Sequence, residues 1–161
     1  PRAADAVLGQ LNRFGVEQVA LVGSGLGAAV AIAAAGRSPA AVSHLVLTDV
    51  LPRTPKLAGA LQRLAVRAMP AAKLAQVGLD RARMLALMKT AAGIDVRPWL
   101  TEVTARTLFV GGSANVPGVT AARELAEAIA GARVELIGKA GLSVPTDAPQ
   151  EFNRLLYDFL G

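Results

Sequence analysis

The sequence predicts an α/β fold, a parallel sheet of about four strands with flanking helices and one helical insertion. Three observations predict it. Four short apolar runs rich in β-branched residues are too continuous in character for half-exposed strands, so they read as buried parallel strands. Helical patterns separate them, the alternation that right-handed crossover connections require. Hydrophobic residues reach 53% and charged residues only 18% of 161 residues, enough for one domain with a real core.

The strands in order are "EQVALVG" (17–23), "SHLVLTD" (43–49), "ARTLFVGG" (105–112) and "ARVELIG" (132–138). Helical stretches cover 3–14, 25–36, pieces of 57–92, 118–130 and 148–160. Residues 1–161 form a single α/β domain, and residues 51–104 a helical insertion carried on it. Pro52, Pro55, Pro70 and Pro98 bracket the helices of that insertion, and Gly78 and Gly93 punctuate it.

Composition excludes several classes of function. There is no cysteine and only one histidine, His44, so no disulfide framework, thiolate site or histidine-rich metal site is expected. No cofactor is implied. No basic-then-apolar signal segment opens the sequence, which suggests a cytoplasmic protein. The net charge of +5 is uneven: residues 51–106 hold ten Lys and Arg against three acids. Lys56, Arg63 and Arg67 alternate at helical spacing with Leu57, Leu61 and Leu64, the pattern of an amphipathic helix with a solvated basic face. Trp99 is the only aromatic there, so no base-stacking platform, and hence no nucleic-acid partner, is expected.

The stretch 19–36, "VALVGSGLGAAVAIAAAG", admits three readings. A membrane span needs about 18 apolar residues, but glycines and weakly hydrophobic alanines fill this one, and strand, turn and buried helix account for it. A dinucleotide-binding unit would use Gly23, Gly25 and Ala28 at a pyrophosphate, with Asp49 on a ribose. The third reading draws on the whole chain. "LNRFGVEQVALVGSGLGAAVAIAAA" resembles the nucleophile-elbow region of the α/β-hydrolase family, and "HLVLTDVLPRTP" the next strand leading into a lid. "ARTLFVGGSANVPGVTAARELAEAIAGARVELIGKAGLSVPTDAPQEFNRLLYDFLG" resembles the family's C-terminal portion, nearest its lactonase and haloperoxidase-like branch.

The resemblance implies half of an α/β-hydrolase-like sheet with residues 51–104 as lid-like helices, and an elbow strand at an open sheet edge. It also implies a catalytic triad, and this sequence departs from it at every position. In the elbow G-x-S-x-G, Gly23 and Gly27 take the glycine places and Gly25 that of the serine. The acid's place falls on Asn115 and the histidine's on Leu142. Asparagine cannot stabilise an imidazolium, and leucine carries no proton. His44 opens a strand and lies a full strand length from the site. Ser24, one residue early in the turn, is the fallback nucleophile. The Leu26 N–H, following the nucleophile position, is the surviving oxyanion donor. Ser113, Ser143, Thr146, Asp147 and Lys139 are the other polar candidates. Asp147 suits the N-cap of the last helix.

The expected function is a degenerate, non-hydrolytic domain that serves as a scaffold or binds a small apolar ligand over Gly25, Asn115 and Leu142, with Leu26, Ser24 and Ser113 nearby. The alternatives are weak esterase or lactonase action by a non-triad arrangement, and dinucleotide binding. The open edge is expected to be covered by a second copy, a separate chain or rearranged helices.

Overall fold

The computed structural model describes residues 2–50, 64–70, 80–91 and 94–161. Two compact units are present, Pro1–Pro52 with Val96–Gly161, and Arg53–Asp95. The first is built on β1 (Val19–Ser24), β2 (Val42–Thr48), β3 (Arg106–Gly112) and β4 (Arg133–Ile137), parallel throughout and in spatial order β1-β2-β3-β4. All four begin and end within two residues of their expected limits. Helix α1 (Arg2–Phe14) leads into β1, and α2 (Leu26–Arg37) with a 3-10 turn (Pro39–Ala41) joins β1 to β2. In the second unit lies α3 (Arg81–Ala91). Back in the first, α4 (Arg97–Leu100) precedes β3, α5 (Val116–Glu127) joins β3 to β4, and α6 (Val144–Asp147) and α7 (Pro149–Leu160) follow β4.

Strand alternation sorts the core onto two faces. Leu45, Leu47 and Phe109 point to one, Val46, Leu108 and Val110 to the other. On the first face α2 is half alanine, and Ala28, Ala34 and Ala35 are fully buried. Small side chains let it close on its neighbours: Ala33 and Ala34 pack with Ala4 of α1, and Leu8, Leu21 and Trp99 join them. Gly36 is glycine for the same reason, since a Cβ there would come within 2.6 Å of the Trp99 Cβ. Trp99 is therefore a core residue of this unit. On the second face α7 sets Phe152 and Phe159 against Val46, Leu108, Val110 and Ile137, and Val144 of α6 joins them.

Among the described strands β1 is an edge. β2 and β3 are almost wholly buried, whereas Ala20, Val22 and Ser24 of β1 are exposed. This is the open elbow-strand edge that the resemblance implies. Helix α5 starts two residues before its expected limit, because Asn115 caps it and Pro117 sits in its first turn, where a missing N–H costs nothing.

In the second unit, Asp80 accepts the Arg83 N–H at 2.8 Å ahead of α3, and Arg81 donates to the Met69 carbonyl. Lys56, Leu57, Leu61 and Arg63 of the expected amphipathic helix lie outside the described residues, as do Gly78 and Gly93. In the helical turn at 64–68, Val66 is buried and Leu64 exposed, so burial does not follow the leucine spacing.

Candidate functional site

Parallel strands bring their C-terminal ends to one side, where the segments after β1 to β4 converge. The turn from β1 into α2 is sharp. Gly25 has φ 55° and ψ −113°, a backbone that glycine reaches freely and other residues only with strain. Its N–H donates to the Thr48 carbonyl at 2.9 Å, which ties the turn to β2. Gly23 and Gly25 are glycine for different reasons. A Cβ at Gly23 would lie 2.7 Å from backbone atoms of Ala28 and Gly27, so the helix packs directly on this position. A Cβ at Gly25 would meet nothing within 4 Å. The turn thus has the strained geometry of a strand-to-helix elbow, with open space where a side chain would project. Leu26 starts α2, and its N–H has no carbonyl a turn back within the helix; its side chain is partly exposed.

Ser24 ends β1 and stands beside Thr48 in the sheet register. Both hydroxyls donate to the Asp49 carboxylate, Ser24 Oγ at 3.1 Å and Thr48 Oγ1 at 2.9 Å. Asp49 has φ 56°, a left-handed conformation that aspartate tolerates better than most residues. Burial pushes its carboxyl above the ordinary carboxylate range, and the negative charge of Asp147 pushes the same way. The two hydroxyls and the Val144 N–H work against that shift. Asp147 accepts the Gly141 N–H at 2.8 Å. It does not cap the last helix: it ends α6, and Ala148 stands at the N-cap of α7 without a side-chain bond. The extra helical turn at Ser143–Asp147, whose carbonyl at Ser143 accepts the Thr146 and Asp147 N–H groups, takes Asp147 out of the capping position.

Asn115 turns back on its own helix, its Oδ1 accepting the Gly118 N–H at 3.3 Å. With Leu47, Asp49, Phe109, Gly118 and Ala122 it lines a cavity of about 10 Å³, room for one water. Gly25 and Leu142 do not line it. Leu142 is 72% exposed. Ser113 Oγ accepts the Lys139 N–H at 3.0 Å, linking the ends of β3 and β4, and Lys139 has φ 64°. Ser143 Oγ donates to Thr146 Oγ1 at 3.1 Å. His44, near the start of β2, is at the opposite end of the sheet.

The site therefore combines a helix start, two carboxylates, several hydroxyls and a rim of exposed apolar side chains. Leu26, Val116 and Leu142 follow β1, β3 and β4 at the same end. Among the described residues no group of three His, Cys, Asp or Glu gathers as a metal site. Reasoning from sequence missed Thr48 and the bond between Ser24 and Asp49. The signal was available: aligning "LVGS" in parallel with "LVLT" sets Ser24 beside Thr48, and Asp49 comes next.

No family model and no curated protein matches the chain. Solved structures do. A hydrolase from Pseudomonas aeruginosa is similar at 20% identity, with a TM-score of 0.82 over 98% of this chain and 70% of that one. An α/β-hydrolase enzyme from a Medee basin deep-sea metagenome library is similar at 18% identity, TM-score 0.84, over 98% and 70%. The enol-lactonase from Burkholderia xenovorans is similar at 18% identity, TM-score 0.81, over 98% and 71%. At such identities the likeness is one of architecture, and by architecture this chain has the α/β-hydrolase fold.

Proposed function

We propose that this chain is a non-hydrolytic member of the α/β-hydrolase family, acting as a scaffold or as a binder of a small apolar ligand at the C-terminal end of its sheet. The observation that carries the reading is Gly25. It keeps the strained elbow backbone, tied to Thr48, in the position where the resemblance expects a nucleophile, and it has no side chain. The other two triad positions support the same reading. Asn115 is engaged as a helix cap, and Leu142 faces solvent. The exposed Leu26, Val116 and Leu142 favour an apolar ligand over a charged one. Strands lie about 4.8 Å apart, so β1 to β4 spans roughly 14 Å, the width of a small molecule. In this reading the lid-like insertion expected over 51–104 is carried by the second unit, Arg53–Asp95, since Trp99 belongs to the core of the first, and β1 is covered by a second copy or a complementary chain.

One observation favours weak esterase or lactonase action instead. Ser24 Oγ lies 3.1 Å from the Asp49 carboxylate, which links the hydroxyl of the elbow strand to a base. A carboxylate is a poor base for an alcohol, because the two ordinarily differ by many orders of magnitude in acidity, and no imidazole mediates. Dinucleotide binding has less support. Asp49, the acid that this reading sets on a ribose, is already engaged by the Ser24 and Thr48 hydroxyls.

Turnover of p-nitrophenyl acetate, p-nitrophenyl butyrate and a simple lactone tests the proposal, with Ser24→Ala as control. The expected result is no rate above that of Ser24→Ala. Turnover abolished by Ser24→Ala would replace this reading with the hydrolase.

A further inference from the structure

We infer that Arg106 and Arg133, at the N-terminal end of the sheet, form an anion site that takes a phosphate ester or inorganic phosphate. Sheet register creates it. His44 stands beside Arg106, and Arg133 beside Leu108, two residues along the same face of β3 from Arg106. All three side chains therefore project on the α7 face at one end. There the last turn of α7 brings in Phe159. Both guanidinium carbons lie 5.4 Å from its ring centroid, and the His44 ring meets it edge-on at 5.7 Å. Two cations are thus held around one buried aromatic side chain.

Arg106 is fixed further by a hydrogen-bond chain. It donates through Nη1 to His44 Nε2 at 3.2 Å. A guanidinium only donates, so Nε2 is the acceptor and Nδ1 carries the hydrogen. Nδ1 donates to Ser43 Oγ at 3.0 Å, and that hydroxyl donates to the Val19 carbonyl at 3.2 Å. Four N–H groups of Arg106 and all five of Arg133 are left without a protein acceptor among the described residues.

Charge balance decides whether the fold itself satisfies these cations. The C-terminus of α7 offers about half a negative charge, against two full positive ones. The acidic residues that the chain order and register set toward this end include Glu135, on the same face of β4, Asp158, next to Phe159, Glu127, at the end of α5, and Glu17 and Glu102, ahead of β1 and β3. None is ion-paired with either arginine among the described residues. Two exposed guanidinium forks beside one ring offer paired donors to the several oxygens of a phosphate, two to each fork. A carboxylate would satisfy only one fork. The site does not depend on the elbow reading, since it lies at the other end of the strands.

Inorganic phosphate titrated into the full chain at low salt, followed by NMR of the arginine side-chain N–H groups, tests the site. The expected result is a saturable shift at Arg106 and Arg133, weakened about tenfold by Arg133→Gln or Arg106→Gln. Should either variant misfold, Arg133→Lys and Arg106→Lys keep the charge and remove the fork, and weaken binding less. Two sources share this chemistry, a free phosphate ester and a phospholipid headgroup. Phenyl phosphate in solution and vesicles of phosphatidic acid, run side by side, tell them apart, and loss of either response in the variants supports the site. Three results would overturn it: no saturation with any probe, equal affinity for acetate, or a response the arginine variants leave unchanged.

Discussion

The two ends of the sheet carry opposite charge and opposite degrees of completion. At the C-terminal end, Asp49 and Asp147 lie close enough for one charge to act on the other, and hydroxyl and backbone donors satisfy both. At the N-terminal end, Arg106 and Arg133 share an aromatic ring, and among the described residues no carboxylate pairs with either. The polar groups at the end where hydrolase-fold chemistry is expected are thus engaged with one another, and the end where none is expected holds exposed cationic donors. A parallel sheet delivers loops to one end and strand starts to the other, so the two can change independently. Likeness of fold directs attention to the elbow; the physical state of the groups directs it to both ends.

The largest expected effect concerns the C-terminal end. If Gly25, Asn115 and Leu142 occupy the triad positions, then Gly25→Ser with Asn115→Asp and Leu142→His raises p-nitrophenyl acetate turnover about a hundredfold or more over the unmodified chain. Gly25→Ser alone gives no gain, because nothing takes its proton. Equal rates for the single and triple variants would mean that the three positions do not converge.

Next in size is the contrast between two glycines of one turn. Gly23→Ala forces a Cβ onto the backbone of α2 and costs about 3 kcal/mol or more. Gly25→Ala meets open space and costs only its backbone strain, about 1–2 kcal/mol. Urea denaturation of both reads the difference. Equal losses would remove the distinction between a packing glycine and a conformational one.

How much of this was legible in the sequence differs by feature. The strands were, because runs such as "HLVLTD" and "RTLFVGG" are apolar on both faces and leave no other burial pattern. Gly25 was legible through its spacing from Gly23 and Gly27. The use of Asp49 was less so, since its partners come from β1 and from the turn at Val144, and only the register brings them together. Asp147 read as a cap, because a helical turn of four residues leaves almost no periodic signal. The arginine pair was invisible as a pair. Arg106 and Arg133 are 27 residues apart in sequence and become neighbours only because β3 and β4 pair in parallel.

Asp49 predicts a pH dependence. Its carboxyl is raised in the folded chain, so folded protein holds the proton at higher pH than unfolded protein does. The group therefore disfavours folding above its folded pKa, and that penalty disappears as pH falls through it towards the ordinary 3.8. Asp49→Asn removes the penalty while keeping an acceptor oxygen and a residue at ease with φ 56°. Its Tm is expected to exceed that of the unmodified chain at pH 7, and the gap to close as pH is lowered towards 4. Asp147→Asn shifts Tm in the same direction by less, since that charge is a smaller cause than burial. A gap that widens on acidification would reverse the sign assigned to Asp49.

The smallest effect on stability belongs to β1, the strand that connects the two ends along the open edge. Val22 is 51% exposed, so Val22→Lys changes folding stability by no more than about 0.5 kcal/mol. Its effect on association is expected to be large. An edge strand offers a row of backbone donors and acceptors to any strand that can lie beside it, and a lysine on the edge is a natural device against such pairing. Phe14 and Val16 before β1 and Leu26 after it are also exposed. An antiparallel second copy would therefore bring apolar side chains against apolar ones at both ends of the pair. Sedimentation velocity at rising concentration distinguishes the occupants proposed for this edge. A dimer that Val22→Lys dissociates assigns the edge to a second copy. A chain that is monomeric with either residue rules out a second copy at this edge, and the two ends of the sheet then act within a single domain.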